Sequence, residues 1–326
     1  MKISLIIPTR NRAETLKSSL ESLRKLQTES MFEVIVVDNN SSDQTKKVAK
    51  QFPFVRYVFE QNTAFTRARN AGADTARGDI LVFMDDDAIL HPGSIKRIIK
   101  IFKKYRTCAL IAGRVEPGYM KRPPQWILDC QARYNGLSIF TPENISFLKE
   151  PLQVVPAAVG PLMAVRAHIY RSVGGFSPDT VGVETDNSDL SFRKLYIGPG
   201  DYGLCYLIRR AGWQIYYDDK ISCTHLISTN RYTTSFWRSR LIGEGQVEAI
   251  IQRQLYHFPK ILLAVYRDIT ILLYAHDKKQ LIKSRRSMTM LEELKLHHLR
   301  SYLEMSWILD LYPKLGPYLW ELGRSG

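Results

Sequence analysis

The densest chemistry in the chain lies at Asp85-Asp86-Asp87, directly after the apolar run Ile80 to Met84. Three adjacent carboxylates at the end of a buried strand repel one another unless something cationic sits among them. The first and third can direct oxygens at one hard divalent ion, Mg²⁺ or Mn²⁺, with water and substrate phosphates filling its other positions. A solvated acidic turn is the alternative, and the apolar strand before the triplet favours the ion. A second acid, Asp38, ends the apolar run Phe32 to Val37. It could accept hydrogen bonds from a base or ribose over the sheet edge. Equally, the cluster Asp38-Asn39-Asn40-Ser41-Ser42-Asp43 could cap the next helix. Pro8-Thr9-Arg10-Asn11-Arg12 brings hydroxyl, amide and guanidinium groups to a third strand end, and the planar fork of Arg suits a diphosphate.

The elements that must hold these groups alternate between strand and helix. Strands are expected at Ile3 to Ile7, Phe32 to Val37, Val55 to Phe59 and Ile80 to Met84. Helices are expected at Ala13 to Leu26, Gln44 to Gln51 and Thr66 to Ala76, the first with Leu16, Leu20 and Leu23 at helical spacing. This βαβαβαβ order predicts a doubly wound α/β domain that binds its ligands at the carboxyl ends of its strands. From 105 to 225 the chain reads as short strands and loops broken by prolines 117, 123, 124, 142, 151, 156 and 161, followed by a helix at Tyr202 to Ala211 and a strand at Gln214 to Tyr217. From Trp237 onward it reads as mostly helical.

Six segments together carry a resemblance: PTRNR (8–12), VVDNNSSDQT (36–45), NTAFTRARNAG (62–72), GDILVFMDDD (78–87), RSVGGF (171–176) and GDYGLCYLIRRAGW (200–213), with His225 beyond them. In this order and spacing the chain resembles the family 2 glycosyltransferases over about residues 1–225. The resemblance implies a GT-A fold, Rossmann-like and mostly parallel, with a catalytic domain at 1–230. That domain would comprise a nucleotide-binding half (1–105) and an acceptor half (106–230), and a mostly helical region would fill 231–326. It further implies that Pro8, Thr9, Arg12, Asp38, Asn62, Arg69, Asn70, Asp85 and Asp86 contact the donor nucleotide, and that Asp85, Asp87 and His225 hold Mn²⁺ or Mg²⁺. Asp201 would be the general base, and Gly174, Gly175 and Phe176 would lie near the acceptor. Two departures stand out: Gly200 precedes Asp201 where the family often has Glu, and Gly203 stands where a second acid is expected. Asp201 could instead cap the helix at 202–211, and the glycine pair could be a plain turn. The Q-x-x-R-W motif of processive members is missing, which implies one sugar per encounter.

The 326 residues include 46 Lys+Arg against 32 Asp+Glu, a formal charge of +14, and are 45% apolar. That balance excludes wholesale disorder and points to an anionic partner. Cys108, Cys130, Cys205 and Cys223 lie far apart with no C-x-x-C pair, so reduced thiols and a cytoplasmic setting are expected. Only five residues, Ile3 to Ile7, lie between Met1-Lys2 and Pro8-Thr9-Arg10, shorter than a secretion signal's apolar stretch. Ile261 to Ala275 is interrupted by Arg267 and Asp268, and Lys278 to Arg286 carries five cations with no acid. This region could hold an anionic membrane face or a second copy, or simply pack on the catalytic domain. Expected partners are a nucleotide-sugar donor, commonly UDP-linked, and a saccharide or lipid-linked acceptor in cell-surface glycan synthesis. A sugar nucleotidyltransferase would want a glycine-rich phosphate loop after the first strand, which Pro8 to Arg12 is not. A nucleic-acid binder would gather its basic residues on one face, whereas here they are dispersed, and no nucleic-acid partner is expected.

Overall fold

A computed structural model describes residues 1–27, 32–176 and 200–250, together with 271, 275, 292, 295, 296, 298–300, 302 and 303. The basic block Lys278 to Arg286, and Ile261 to Ala275 apart from positions 271 and 275, lie outside these residues. Among the described residues no helix is long and apolar enough to cross a membrane.

Four strands form the parallel part of one sheet: β1 (Ile3–Thr9), β2 (Glu33–Asp38), β3 (Val55–Phe59) and β4 (Ile80–Met84), in the order β3-β2-β1-β4. β1 and β4 are buried at every position, which explains why they are apolar but for Ser4 and Thr9, since a parallel strand is covered on both faces. The covering helices include α1 (Ala13–Gln27), which buries Leu16, Leu20 and Leu23, and α3 (Phe65–Thr75). Between them lie α2 (Thr45–Lys50) and, further on, β5 (Ala88–Leu90) and α4 (Ser94–Lys104). The strand and helix expectations of the first hundred residues hold to within two residues at most ends.

The middle of the chain departs from expectation. Instead of short pieces it contributes β6 (Cys108–Tyr119) and, later, the fourteen-residue β9 (Gln214–Ile227), ten residues longer than expected. These two run parallel, with shifts of register near Gly113. Pro117 does not break β6: β8 (Leu162–Arg166) pairs antiparallel only with Leu110 to Ala112 of β6. Beyond that point β6 makes an isolated bridge of Val115 with Phe140 and is otherwise outside the β8 ladder, so a missing N–H at Pro117 is tolerated. β8 also pairs antiparallel with β4, joining the two halves of the sheet in the order β3-β2-β1-β4-β8-β6-β9-β5, with β7 (Leu152–Val154) on β9. The short α6 (Ala167–Ser172) and α7 (Gly200–Arg210) complete this compact unit, which gathers 1–120, 137–177 and 200–227.

A second compact unit contains Lys121–Gly136 and the described residues from Ser228 onward. Its elements are α5 (Gln125–Tyr134) and α8 (Thr234–Ile250), preceded by a 3-10 turn at Thr229–Tyr232. Trp237 is fully buried, and its indole N–H donates to the Arg231 carbonyl at 3.1 Å. Its ring lies so close to Gly136 that a Cβ there would stand 2.6 Å from it.

Candidate active site

Parallel pairing brings the ends of β1 and β2 level, with Thr9 opposite Asp38, and β4 ends on the same edge. Because β8 runs antiparallel to β4, its beginning reaches that edge too: Leu162 faces Met84, and the Asp85 N–H donates to the Pro161 carbonyl at 3.4 Å. β5 then pairs Ala88 with His225 of β9, and the Leu226 N–H donates to the Asp87 carbonyl at 2.7 Å. A three-residue strand thus sets an imidazole beside the acidic triplet, across 138 positions of sequence.

Within the triplet Asp86 and Asp87 share one partner, and Asp85 has another. Asp86 accepts from the Thr9 hydroxyl at 2.7 Å and from Arg12 Nη1 at 2.9 Å, and the same nitrogen reaches Asp87 at 2.8 Å. Burial pushes the Asp86 carboxyl up to about 6, against the pull of Arg12. Burial also opposes the charge on Arg12, but Asp86 and Asp87 outweigh it and raise the pKa of the guanidinium. Asp85 turns the other way, accepting from Arg69 Nη2 at 3.1 Å. Burial raises its carboxyl too, with Arg69 opposing.

Arg69, on α3, is the centre of the arrangement. Its Nη1 donates to Asp201, in the first turn of α7, at 2.5 Å, and its Nη2 also reaches the Gly160 carbonyl at 3.2 Å. The side chain is 1% exposed, and the rings of Phe65 and Phe176 lie 4.1 Å and 5.0 Å from its guanidinium carbon. One buried cation therefore links the first acid of the triplet to Asp201. That makes Asp201 more than a helix cap, although it does stand in the first turn of its helix. Gly160 is required by closeness: a Cβ there would lie 2.8 Å from both Arg69 Nη2 and Asp201 Oδ2.

Asp85, Asp87 and His225 each offer a ligand atom, all within 4.8 Å of one another. His225 Nδ1 lies 3.1 Å from the Leu137 carbonyl. A carbonyl only accepts, so Nδ1 carries a proton, and in a neutral ring Nε2 is then an acceptor. That nitrogen faces Asp87 Oδ1 at 3.2 Å. Acceptor against carboxylate is repulsive unless the ring is protonated or a cation lies between them. Two carboxylates and an imidazole on one side of a cleft fit a divalent ion such as Mn²⁺ or Mg²⁺.

The remaining expected residues spread over the same edge. Asp38, buried, accepts from the Ser41 N–H at 2.9 Å and the Tyr57 hydroxyl at 2.7 Å, while Asp43 accepts from the Thr45 N–H at the start of α2. Asn62 is exposed, and its carbonyl accepts from the Asn39 side chain at 2.6 Å. Pro8 is buried within β1, opposite Val37. Asn70 turns inward: its amide donates to the Phe176 carbonyl and accepts from the Phe176 N–H and the Tyr170 hydroxyl. Gly174 and Gly175 both have positive φ, 86° and 71°, in the turn that presents Phe176. The ring of Phe176 is 1% exposed and packs on Phe83, so it supports Arg69 and offers no open surface. Gly160, Tyr57, Tyr170 and Phe65 were not anticipated. Gly160, Tyr57 and Tyr170 meet partners from other segments, and Phe65 meets Arg69 one turn on along α3.

Residues 4–172 match the model of a family described as Glycosyl transferase family 2. The uncharacterized glycosyltransferase YfnE of Bacillus subtilis is 34% identical over 129 residues, 37% of this chain and 33% of that protein. A glucosyl-dolichyl phosphate glucuronosyltransferase of Haloferax volcanii is 24% identical over 193 residues, 55% of this chain and 57% of that protein. The chain thus spans a third to just over half the length of these curated relatives. Among solved structures, a mannosyltransferase from Pyrobaculum calidifontis, in complex with GDP-Man and Mn²⁺, superposes with a TM-score of 0.50 at 16% identity. The match covers 98% of this chain and 73% of that one. The chain belongs to glycosyl transferase family 2 and has the GT-A fold.

Proposed function

We propose that this protein is an inverting, metal-dependent glycosyltransferase, moving a single sugar from a nucleotide-sugar donor, UDP-linked in the first instance, to a saccharide or lipid-linked acceptor. The observation that carries the proposal is the Arg69 bridge, which joins Asp85 of the triplet to Asp201 through one guanidinium. In an inverting transfer the acceptor oxygen attacks the anomeric carbon from the face opposite the leaving diphosphate. One carboxylate must therefore serve the acceptor while other groups serve the leaving group. Asp201, with its side chain 24% exposed, can accept the acceptor hydroxyl's proton. Arg69 fixes its rotamer. Asp85, Asp87 and His225 would hold Mn²⁺ or Mg²⁺, which when bound stabilises the charge developing on the diphosphate.

Among the described residues that meet the triplet, Arg12 is the cation with an open side, its side chain 43% exposed. It can therefore turn toward a donor phosphate while Thr9 keeps Asp86 in place. Asp38, held by Ser41 and Tyr57, faces the ribose and base together with the Asn62 segment. Asn70 and Phe176 act from behind, fixing α3 against the Gly174-Gly175 turn on the acceptor side. The relative named for glucosyl-dolichyl phosphate supports a lipid-linked acceptor. With such an acceptor the enzyme would work at the cytoplasmic face of a membrane, in cell-surface glycan assembly.

The test is a thermal-shift screen of UDP, GDP and dTDP, each with and without Mn²⁺. Saturation a hundredfold above Kd stabilises a protein by about 2.7 kcal/mol. A metal-dependent rise in Tm with one of the diphosphates is expected. Melting that none of them moves, with or without Mn²⁺, would reject the donor assignment.

A further inference from the structure

A second cleft lies at the opposite end of the sheet from the acidic edge. Phe102, Lys103, Arg106, Arg166, His168 and Trp213 line a cavity of about 350 Å³. Its place follows from register: Arg166, at the end of β8, faces Ile80 at the beginning of β4. β4 then runs five residues to the triplet, roughly 16 Å at about 3.3 Å per residue. Lys103 lies in the last turn of α4, His168 is the second residue of α6, and Trp213 stands between α7 and β9, immediately before β9.

The lining contains three permanent cations and a histidine, and no acid. Among the described residues neither Lys103 nor Arg106 is paired with a carboxylate. Arg166 is held by backbone: its Nε donates to the Cys108 carbonyl at 2.7 Å, and its Nη2 to those of Phe102 and Tyr105 at 2.7 Å and 3.1 Å. Those bonds fix the guanidinium at the end of α4 and do not use Nη1. Burial lowers the pKa of Arg166, and the like charge of Arg106 lowers it further. Elsewhere in this unit buried or half-buried arginines meet acids, as Arg69 meets Asp85 and Asp201, and Arg97 meets Asp218. The walls are preformed. Gly212, at φ 82°, ends α7 and lets the Trp213 N–H donate back to the Ile208 carbonyl at 3.2 Å. The His168 ring then meets the indole edge-on at 6.5 Å.

We propose that this cleft is a second ligand site, which binds a phosphoryl-bearing anion between Lys103, Arg106 and Arg166 against the Trp213 wall. Convergent cations that lack acids are stabilised by an anion, and a phosphoryl group offers several oxygens to a guanidinium fork. The source is either a small soluble phosphate compound or the head group of a phospholipid. The site is separate from the sugar-transfer edge and does not depend on the donor assignment.

The test uses the full chain in EDTA. Pyrophosphate is titrated by calorimetry and by tryptophan fluorescence, and phosphatidylglycerol vesicles are titrated beside phosphatidylcholine vesicles. The same titrations are run on Lys103→Ala/Arg106→Ala and on the control Lys96→Ala/Lys100→Ala, which removes two exposed lysines earlier on α4. The expected result is binding to wild type that weakens about tenfold or more in the first variant, from the loss of two charge-assisted contacts. The control should change by less than about threefold, as expected for screened surface charge. Pyrophosphate binding with this pattern supports the site with a soluble ligand. Binding only to phosphatidylglycerol vesicles with the same pattern supports it with a lipid head group. Wild type that binds neither, or two double variants that lose affinity equally, would overturn it.

Discussion

Replacing Gly160 by alanine probes the link between Arg69 and Asp201 without deleting a charge. The added methyl would lie 2.8 Å from Arg69 Nη2 and from Asp201 Oδ2, where ordinary contact begins at 3.4 Å. About 0.6 Å must be found at one side or shared between them. Arg69 has little freedom, since it is 1% exposed, stacked between Phe65 and Phe176, and bonded to Asp85. Asp201 is 24% exposed at the start of a helix, so most of the displacement falls on its carboxylate. Misplacing a catalytic group by 1 Å can cost on the order of 10²-fold in rate. A shift of a little over half that distance predicts a fall in kcat of about 10- to 50-fold, with KM for the donor changed by less than about twofold. Overpacking should lower stability by roughly 1–3 kcal/mol. The assay is Mn²⁺-dependent release of nucleoside diphosphate from a nucleotide sugar, followed with and without acceptor, beside a melting curve. If Gly160→Ala melted lower but turned over at the parental rate, the Arg69–Asp201 geometry would have no part in the chemistry.

Two other outcomes are expected. Asp201→Asn keeps an acceptor for Arg69 but removes the base, so kcat should fall by roughly 10²- to 10⁴-fold while donor affinity, read by calorimetry, stays within about threefold; transfer at the parental rate would place the base elsewhere. The cysteines should be unreactive in the native protein, since all four are buried and burial pushes the Cys108 and Cys205 thiols up to about 12. Mass spectrometry after iodoacetamide at pH 8 should therefore find those two unmodified until denaturant is added, and rapid native labelling of either would contradict the packing.

How far the sequence discloses this protein depends on the range of its interactions. The parallel strands are legible because β1 and β4 are buried at every residue and, apart from Ser4 and Thr9 of β1, apolar. The triplet is legible because three acids after such a strand are costly without a cation. β9 is harder to see. Its first four residues look like a strand, but Asp218-Asp219-Lys220 then looks like a turn. The structure shows why the strand continues: Asp218 is fully buried and bonded to Arg97 at 2.7 Å, and β6 and β9 change register at that point. An acid can sit mid-strand when its partner comes from α4, 121 residues away, and no local pattern announces that partner.

The site divides in the same way. His225 and Asp201 stand out only through the family likeness, because the pairing of Ala88 in β5 with His225 in β9 and the bridge through Arg69 span 137 and 132 positions of sequence. Asn70 and Phe176 carry motif positions yet turn inward, where they hold α3 against the glycine turn. Gly160 has no sequence signature at all, being one glycine before Pro161. Its importance lies in two side chains that approach it from α3 and α7.

The central claim is that Asp85, Asp87 and His225 hold a divalent ion that secures the donor's diphosphate. Its most direct test is a calorimetric titration of UDP and GDP into wild type and Asp87→Ala, each with Mn²⁺ and with EDTA. Wild type should bind one of the diphosphates at least tenfold more tightly with Mn²⁺, and the variant should lose that enhancement. Equal Mn²⁺-enhanced affinity in both proteins would contradict the claim.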